Sequence, residues 1–137
     1  METEIQKLRI PYFDPETEEI LSELEKTQKD FWNLDRECAN FLNTLIQINN
    51  SKSVLEIGTS NGYSGIWILK ALEKTKGKLT TIEFWEKRQS IARKNFKICC
   101  PNVSAETKIG SAIVILEDIK DEIQNRIYLV FCFEFHL

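Results

Sequence analysis

Val54-Leu55-Glu56-Ile57-Gly58-Thr59-Ser60-Asn61-Gly62-Tyr63-Ser64-Gly65 decides the fold of this chain. An apolar run stops at a glycine. A short polar turn follows, and an apolar helical pattern (Ile66, Ile68, Leu69, Leu72) begins at once. This is the strand–turn–helix unit that opens a nucleotide-binding α/β fold. Gly58 and Gly62 lack a β-carbon, so the backbone can turn tightly and come close to a ligand. The free N–H groups at the helix start can hold an anionic group. The spacing departs from G-x-G-x-x-G, because Ser60 stands where a second glycine lets the backbone press on a pyrophosphate. That substitution argues against NAD and FAD and for a ligand with no pyrophosphate. Glu56 lies so near a buried strand end that its carboxylate is costly unless it has partners.

Downstream, Lys78–Glu83 reads as a second strand ending in a carboxylate. Glu83 follows Gly58 at close to the roughly 20-residue spacing at which an acidic residue takes ribose hydroxyls. A carboxylate can accept from both cis hydroxyls of a ribose at once. Further strands are expected at Ser53–Ile57, Val103–Ile109 and Ile127–Phe133. Helices are expected over Glu16–Lys29, Asp35–Asn49, Tyr63–Lys74, Trp85–Lys97 and Ser111–Ile123. Asp14 is a candidate cap of the first helix and Ser111 of the last. Cys38, Phe41, Leu42, Leu45 and Ile46 form an i, i+3, i+4, i+7, i+8 stripe on the second. The organisation is helices first, then alternating strands and helices, which implies a parallel sheet.

Three stretches in order carry a family resemblance: Val54 to Ser64, Thr80 to Phe96 (TTIEFWEKRQSIARKNF), and Ile109-Gly110-Ser111-Ala112 leading into a helix. They are similar to the forms VLEIGTxxGYS, TIE…R…A…NF and GDA of the class I S-adenosylmethionine (SAM)-dependent methyltransferases. Within that class the chain resembles the small O-methyltransferases related to catechol and caffeoyl-CoA methyltransferases, from roughly Trp32 to Val130. The resemblance implies an α/β, Rossmann-like fold with a partial parallel sheet of about four strands and N-terminal helices. It implies SAM as cofactor and methyl transfer to a hydroxyl of a small-molecule acceptor. By position, Glu56, Gly58, Thr59 and Ser60 would wall the methionine part of SAM, with Gly62 shaping the turn. Ser64 would bond its carboxylate, Glu83 would take the ribose hydroxyls, and Phe84 would pack on the adenine. Gly110, Ser111 and Ala112 would line the adenine edge. The residues before the first strand would lie across the cofactor pocket or form a dimer interface, with Trp32 and Asn33 near the cofactor.

The resemblance breaks at the end of the chain. The metal-binding Asp that follows the fourth strand in the family would fall at Phe133, Glu134 is one residue late, and the upstream Asp position is Tyr128. A one-residue shift sends a strand side chain to the opposite face. No intact metal site is expected, and no catalytic residue is assigned. The chain is read as one C-terminally truncated domain over 1–137, with a helical cap over 1–52 and a Rossmann-like half over 53–137. The missing strands would have covered the outer edge of the fourth strand. The tail Phe131–Leu137 is compatible with read-through into another frame, with a truncated gene, or with a real strand that pairs with a partner. The alternative to an active enzyme is a non-catalytic SAM-binding remnant or subunit that pairs through that strand.

Composition excludes several classes. The 137 residues carry 18 Lys+Arg and 21 Asp+Glu for a net charge of −3, and no basic stripe marks nucleic-acid binding. Lys87, Arg88, Arg93, Lys94 and Lys97 cluster, but they read as the solvated face of one helix. Cys38, Cys99, Cys100 and Cys132 make no C-x-x-C pair, and the single histidine, His136, is terminal, so no zinc site is expected. The start of the chain is acidic and polar, unlike a signal peptide, and no apolar run approaches the ~20 residues of a membrane span. These features fit a cytoplasmic protein with no membrane or nucleic-acid partner, and a homodimer is open.

Overall fold

The central strand of the sheet forms where an apolar run is bounded by turns. The computed structural model describes residues 11–31, 33–124 and 129–133. Its elements run α1 (Pro15–Lys26), α2 (Gln28–Phe31), α3 (Arg36–Asn49), β1 (Ser53–Ile57), α4 (Tyr63–Thr75), β2 (Lys78–Glu83), α5 (Glu86–Cys99), β3 (Ser104–Ile109), α6 (Ala112–Gln124) and β4 (Leu129–Cys132). The expectations for Trp32, Tyr128, Glu134 and His136 lie outside the described residues.

All strand pairings are parallel, in the order β3-β2-β1-β4. Leu55 of β1 pairs with Thr80 of β2 and with Val130 of β4. Every residue of β1 is buried, as a central parallel strand covered on both faces requires. Its side chains alternate between two cores. Val54 joins Ile46, Trp67, Leu69, Leu72, Leu79 and Phe96 on one face. Leu55 and Ile57 join Ile82, Ala112, Leu116 and Ile123 on the other.

α4 is apolar on nearly every side because the sheet, α3 and α5 surround it. Trp67, Ile66, Ile68, Leu69 and Leu72 are fully buried, and each aliphatic side chain contributes about 1.5–3 kcal/mol. The buried Asn43 amide donates to the Trp67 carbonyl at 2.8 Å, which satisfies both groups between α3 and α4.

The helix ends follow their caps. The Asp14 carboxylate accepts from Thr17 N at 3.0 Å, with Pro15 at the first helical position of α1. Asp35 accepts from Cys38 N at 2.8 Å at the start of α3. Burial pushes the Asp14 carboxyl up, but its bonds from Thr17 and the Lys70 ammonium prevail and hold it near 2. The helix expected over Glu16–Lys29 is interrupted at Thr27, whose N–H turns back onto the Leu24 carbonyl, and α2 follows as a separate short turn.

Arg36 locks this N-terminal layer to the rest. It pairs with Glu18 and Glu25 of α1 and lies against the Tyr12 and Trp67 rings, 5.5 and 5.2 Å from their centroids. The Tyr63 hydroxyl donates to Glu25 at 2.6 Å, so α1 is tied to the first residue of α4, beside the turn. Burial, then the Glu25 carboxylate, raise the Tyr63 phenol above its ordinary range.

Candidate functional site: the cleft at the carboxyl end of β1 and β2

Gly58 follows β1 with φ 102°, a conformation that only glycine adopts freely. Its N–H donates to the Ile82 carbonyl at 2.8 Å, which holds the turn against β2. Ser60, at the position of the absent second glycine, keeps a glycine-like backbone at φ 52°. Its side chain is put to use: Oγ donates to the Phe31 carbonyl at 3.1 Å and clamps α2 over the turn.

Gly62 has φ 93°, but its openness faces a helix and not the cleft. A β-carbon there would come within 3.0 Å of Ala92 Cα, and one at Gly65 within 2.5 Å of the Phe96 ring. These two glycines let α4 and α5 approach. The turn is fastened to α5 by Asn95, whose amide donates to the Asn61 carbonyl at 3.0 Å.

Glu83 ends β2 and is only 2% exposed. One carboxylate oxygen accepts from Ser60 N at 2.8 Å and the other from Trp85 N at 2.9 Å. Backbone donors on both sides fix its plane. Each oxygen has a second lone pair, so two acceptor positions remain.

Glu56 is fully buried and serves a different end. It accepts from Ser64 Oγ at 2.5 Å and from Thr81 Oγ1 at 2.7 Å, and Thr81 shares a 2.6 Å contact with Thr59 Oγ1. Burial pushes its carboxyl up to about 7; the two hydroxyls oppose the rise, and the Glu83 charge adds to it.

Phe31, Asn33, Leu34, Gly58, Ser60, Ser64, Glu83, Trp85, Arg88 and Phe133 enclose a cleft of about 280 Å³. It lies outside the carboxyl ends of β1 and β2, where open α/β sheets take their ligands. Five residues singled out in the sequence, Asn33, Gly58, Ser60, Ser64 and Glu83, meet there. Glu56 and Thr59 lie behind the wall, in the hydroxyl network. Phe84 is outside the wall and half exposed, edge-on to Trp85 at 5.1 Å, and it is Trp85 that reaches the cleft. Gly110, Ser111 and Ala112 also lie outside it. They adjoin it through Gly110 N, which donates to the Glu83 carbonyl at 3.0 Å.

Sequence reasoning missed Leu34, Phe31, Trp85 and Phe133 as wall residues, and it placed Arg88 on a solvated face. Arg88 sits four residues before the buried Ala92, on the stripe Ala92, Phe96, Cys99 that turns α5 inward. That phase was the available signal. Its guanidinium lies over the Phe31 ring at 5.4 Å. Among the described residues no group of three or more His, Cys, Asp or Glu side chains is placed to hold a metal ion.

Sequence and fold both match those of known proteins. The O-methyltransferase family model matches residues 13–134. A catechol O-methyltransferase of Niastella koreensis is 38% identical over 82 residues, covering 60% of this chain and 37% of that protein. The O-methyltransferase from Bacillus cereus, solved in complex with SAH, is 30% identical with a TM-score of 0.72, over 94% of this chain and 58% of the other. The O-methyltransferase TomG from Streptomyces achromogenes, involved in tomaymycin synthesis and solved in complex with SAM, shares the fold at 24% identity and a TM-score of 0.70, over 94% of this chain and 57% of the other. The chain thus spans less than two thirds of the length of these relatives. A family match that begins before α1 and runs through β4 leaves one assignment: the chain belongs to the O-methyltransferase family.

Proposed function

We propose that this chain binds S-adenosylmethionine in the cleft and serves methyl transfer to a hydroxyl of a small-molecule acceptor. The observation that carries the reading is Glu83: a carboxylate at the cleft wall, held by two backbone N–H groups, with two lone pairs left to accept. Paired ribose hydroxyls supply the two donors that such a group needs. The buried, unpartnered amide nitrogen of Asn33 at the same wall also calls for a ligand atom. The residues present therefore fit the group.

When bound, the cofactor supplies an electrophilic methyl on a sulfonium. The chain's own work is to hold it. Glu83 takes the sugar, and the side-chain-free Gly58 and the Ser60 backbone lie along the methionine part, with Thr59 and Glu56 stiffening the turn behind them. Ser64 presents oxygen lone pairs toward the ammonium, because its proton goes to Glu56. Gly62 packs α4 on α5 and so fixes where that helix begins. Phe84, Gly110, Ser111 and Ala112 form the adenine end, tied to Glu83 by the Gly110 N–H. Phe31, Leu34 and Phe133 keep water from the centre of the cleft, and fixed geometry of this kind is where much of a transfer rate comes from.

The outer edge of β4 and the half-exposed Val130 favour a second reading, a cofactor-binding subunit that pairs through that edge. A homodimer formed this way elutes at twice the chain mass and dissociates on Val130→Lys. Exposed free thiols at Cys38 and Cys132 suit a reducing, cytoplasmic setting. No helix among the described residues is long and apolar enough to cross a membrane.

Calorimetric titration with S-adenosylhomocysteine tests the central reading. Saturable binding at one site per chain is the expected result. No heat from a folded chain at millimolar ligand refutes it.

A further inference from the structure

α5 borders two concave sites. Trp85, just before it, and Arg88 in its first turn face the cleft, while Arg93, Phe96 and Lys97 face a second cavity of about 360 Å³. The two share no wall residue. The second lies where α5 crosses β3, the edge strand of the sheet.

The floor of this groove is apolar and already built. Side chains alternate along β3, so Ala105 faces the groove, with Val103 just before the strand. Glu106 and Lys108 take the opposite face and pair with each other at 2.9 Å. Phe96 is buried, and it packs so closely on Gly62 and Gly65 that neither has room for a β-carbon. Burial pushes the Cys100 thiol up to about 12, so it lines the groove as an uncharged group. A pocket of a few hundred Å³ with an apolar lining and a few polar groups in one place is the usual form of a small-molecule site.

The rim is cationic. Arg93 and Lys97 stand four residues apart on α5, which puts their β-carbons about 5–6 Å apart on one helix face. Both border the same cavity, so a single ligand group is within reach of both. No acid lines the groove, and α5 has none after Glu86. Among the described residues neither cation forms an ion pair. Two like charges at this spacing destabilise a helix, and an anion between them removes that cost. The whole chain carries a net charge of −3, so this local excess does not follow from its overall balance. A solvated face accounts for Lys87 and Lys94, but it leaves unexplained why the next two cations overlook an apolar hollow.

We propose that this groove is a second binding site, for a small amphiphilic anion whose apolar body lies on Phe96, Cys100, Val103 and Ala105 and whose carboxylate-type head sits between Arg93 and Lys97. The floor favours such a molecule over a bare phosphate or a nucleic-acid backbone, neither of which would cover it. The assignment is independent of the cofactor reading above.

The test follows the backbone amide resonances of the full chain by NMR during titration with octanoate. A saturable shift in the millimolar range or tighter, confined to α5 and β3 around the groove, is the expected result. Octylammonium has the same apolar chain and the opposite head, and it should bind about tenfold more weakly or worse. The double variant Arg93→Gln, Lys97→Gln should weaken octanoate about five- to tenfold, the scale of two exposed charge contacts, and Arg93→Lys should keep most of the binding. Ala105→Phe fills the floor and should abolish the shift. Thermal unfolding certifies that each variant is folded; if Ala105→Phe is not, the charge variants and the two head groups still decide. No saturable shift, equal binding of the two heads, unchanged octanoate binding in the double variant, or shifts centred on Gly58, Ser60 and Glu83 overturn the site. Groove amides that shift with protein concentration alone show that a second copy of the chain covers the groove, and that result overturns it too.

Discussion

Glu56→Gln should make the protein more stable in mild base and no more stable in acid. Glu56 is fully buried, and its carboxyl rises from 4.5 to about 7, chiefly by burial. A raised carboxyl pKa means that the native state holds a proton that the unfolded chain has already released. Stability is then full below the unfolded value near 4.5 and falls as pH rises toward about 7, beyond which it is flat. At about 1.4 kcal/mol per pH unit, the rise from 4.5 to about 7 corresponds to about 3 kcal/mol. Glutamine has the same shape and no charge. The Ser64 and Thr81 hydroxyls can each donate or accept, so both ends of the amide can be satisfied. The assay is urea denaturation of both proteins from about pH 4.5 to about pH 8, with the difference in unfolding free energy taken at each pH so that the other titrating groups cancel. The difference should grow in favour of the glutamine variant by about 2–3 kcal/mol across that range and then level. A difference that stays constant with pH, or grows in favour of the wild type, refutes the account of Glu56 as a carboxylate held against its burial.

Gly62→Ala should cost about 1–3 kcal/mol in denaturation, because it combines a left-handed φ of 93° with a β-carbon 3.0 Å from Ala92 Cα on α5. Gly65→Ala tests the packing without the backbone strain: Gly65 is helical, but a β-carbon there would lie 2.5 Å from Phe96 Cζ, which sits on the ring axis and is not moved by ring rotation, so it should also cost about 1–3 kcal/mol, and unchanged stability would refute the close packing of α4 on α5. Glu83→Ala should lower stability by about 1–3 kcal/mol, because it strands the Ser60 and Trp85 N–H groups, and on the proposed reading should lower S-adenosylhomocysteine affinity by a similar amount, because it removes the acceptor proposed for the ribose. Unchanged calorimetric affinity would remove Glu83 from the ligand site.

The parts of the fold that were legible are those whose causes are local. β1 and β2 run over the residues that the apolar runs mark, because Gly58 and the Glu83-Phe84-Trp85 turn stop them. β3 starts at Ser104 and not Val103, since Val103 N is engaged with the Cys100 carbonyl in the preceding turn. β4 covers Leu129–Cys132, shorter than Ile127–Phe133, and Phe133 leaves the strand to face the cleft while its N–H still bonds the Ile57 carbonyl at 2.8 Å. In the site, Gly58, Ser60 and Glu83 were legible because turn chemistry and strand ends bring them together within one βαβ unit. Asn33 was reached only through the family resemblance, and Leu34 and Arg88 were not read as wall residues. Asn33 and Leu34 arrive through the packing of the N-terminal layer, an event of tertiary structure. Arg88 was hidden by its neighbours, for Lys87, Lys94 and Lys97 really are exposed.

Exposure does not separate the two acids of this site, since Glu56 is 0% and Glu83 2% exposed. Their partners do. Glu56 is met by side-chain hydroxyls from α4 and β2, Ser64 and Thr81, and Thr81 passes the chain of contacts inward to Thr59. Glu83 is met by backbone N–H groups of Ser60 and Trp85, and both of those residues are themselves on the cleft wall. Hydroxyls rotate, so the Glu56 network can reorganise when its proton comes or goes, and its effect is felt as stability. Backbone donors do not rotate, so Glu83 is held in one plane whatever enters, and its two remaining lone pairs point at a fixed place. That difference makes Glu56, with Ser64 in its network, a support for the turn, and leaves Glu83 at the cleft wall with acceptor capacity to spare.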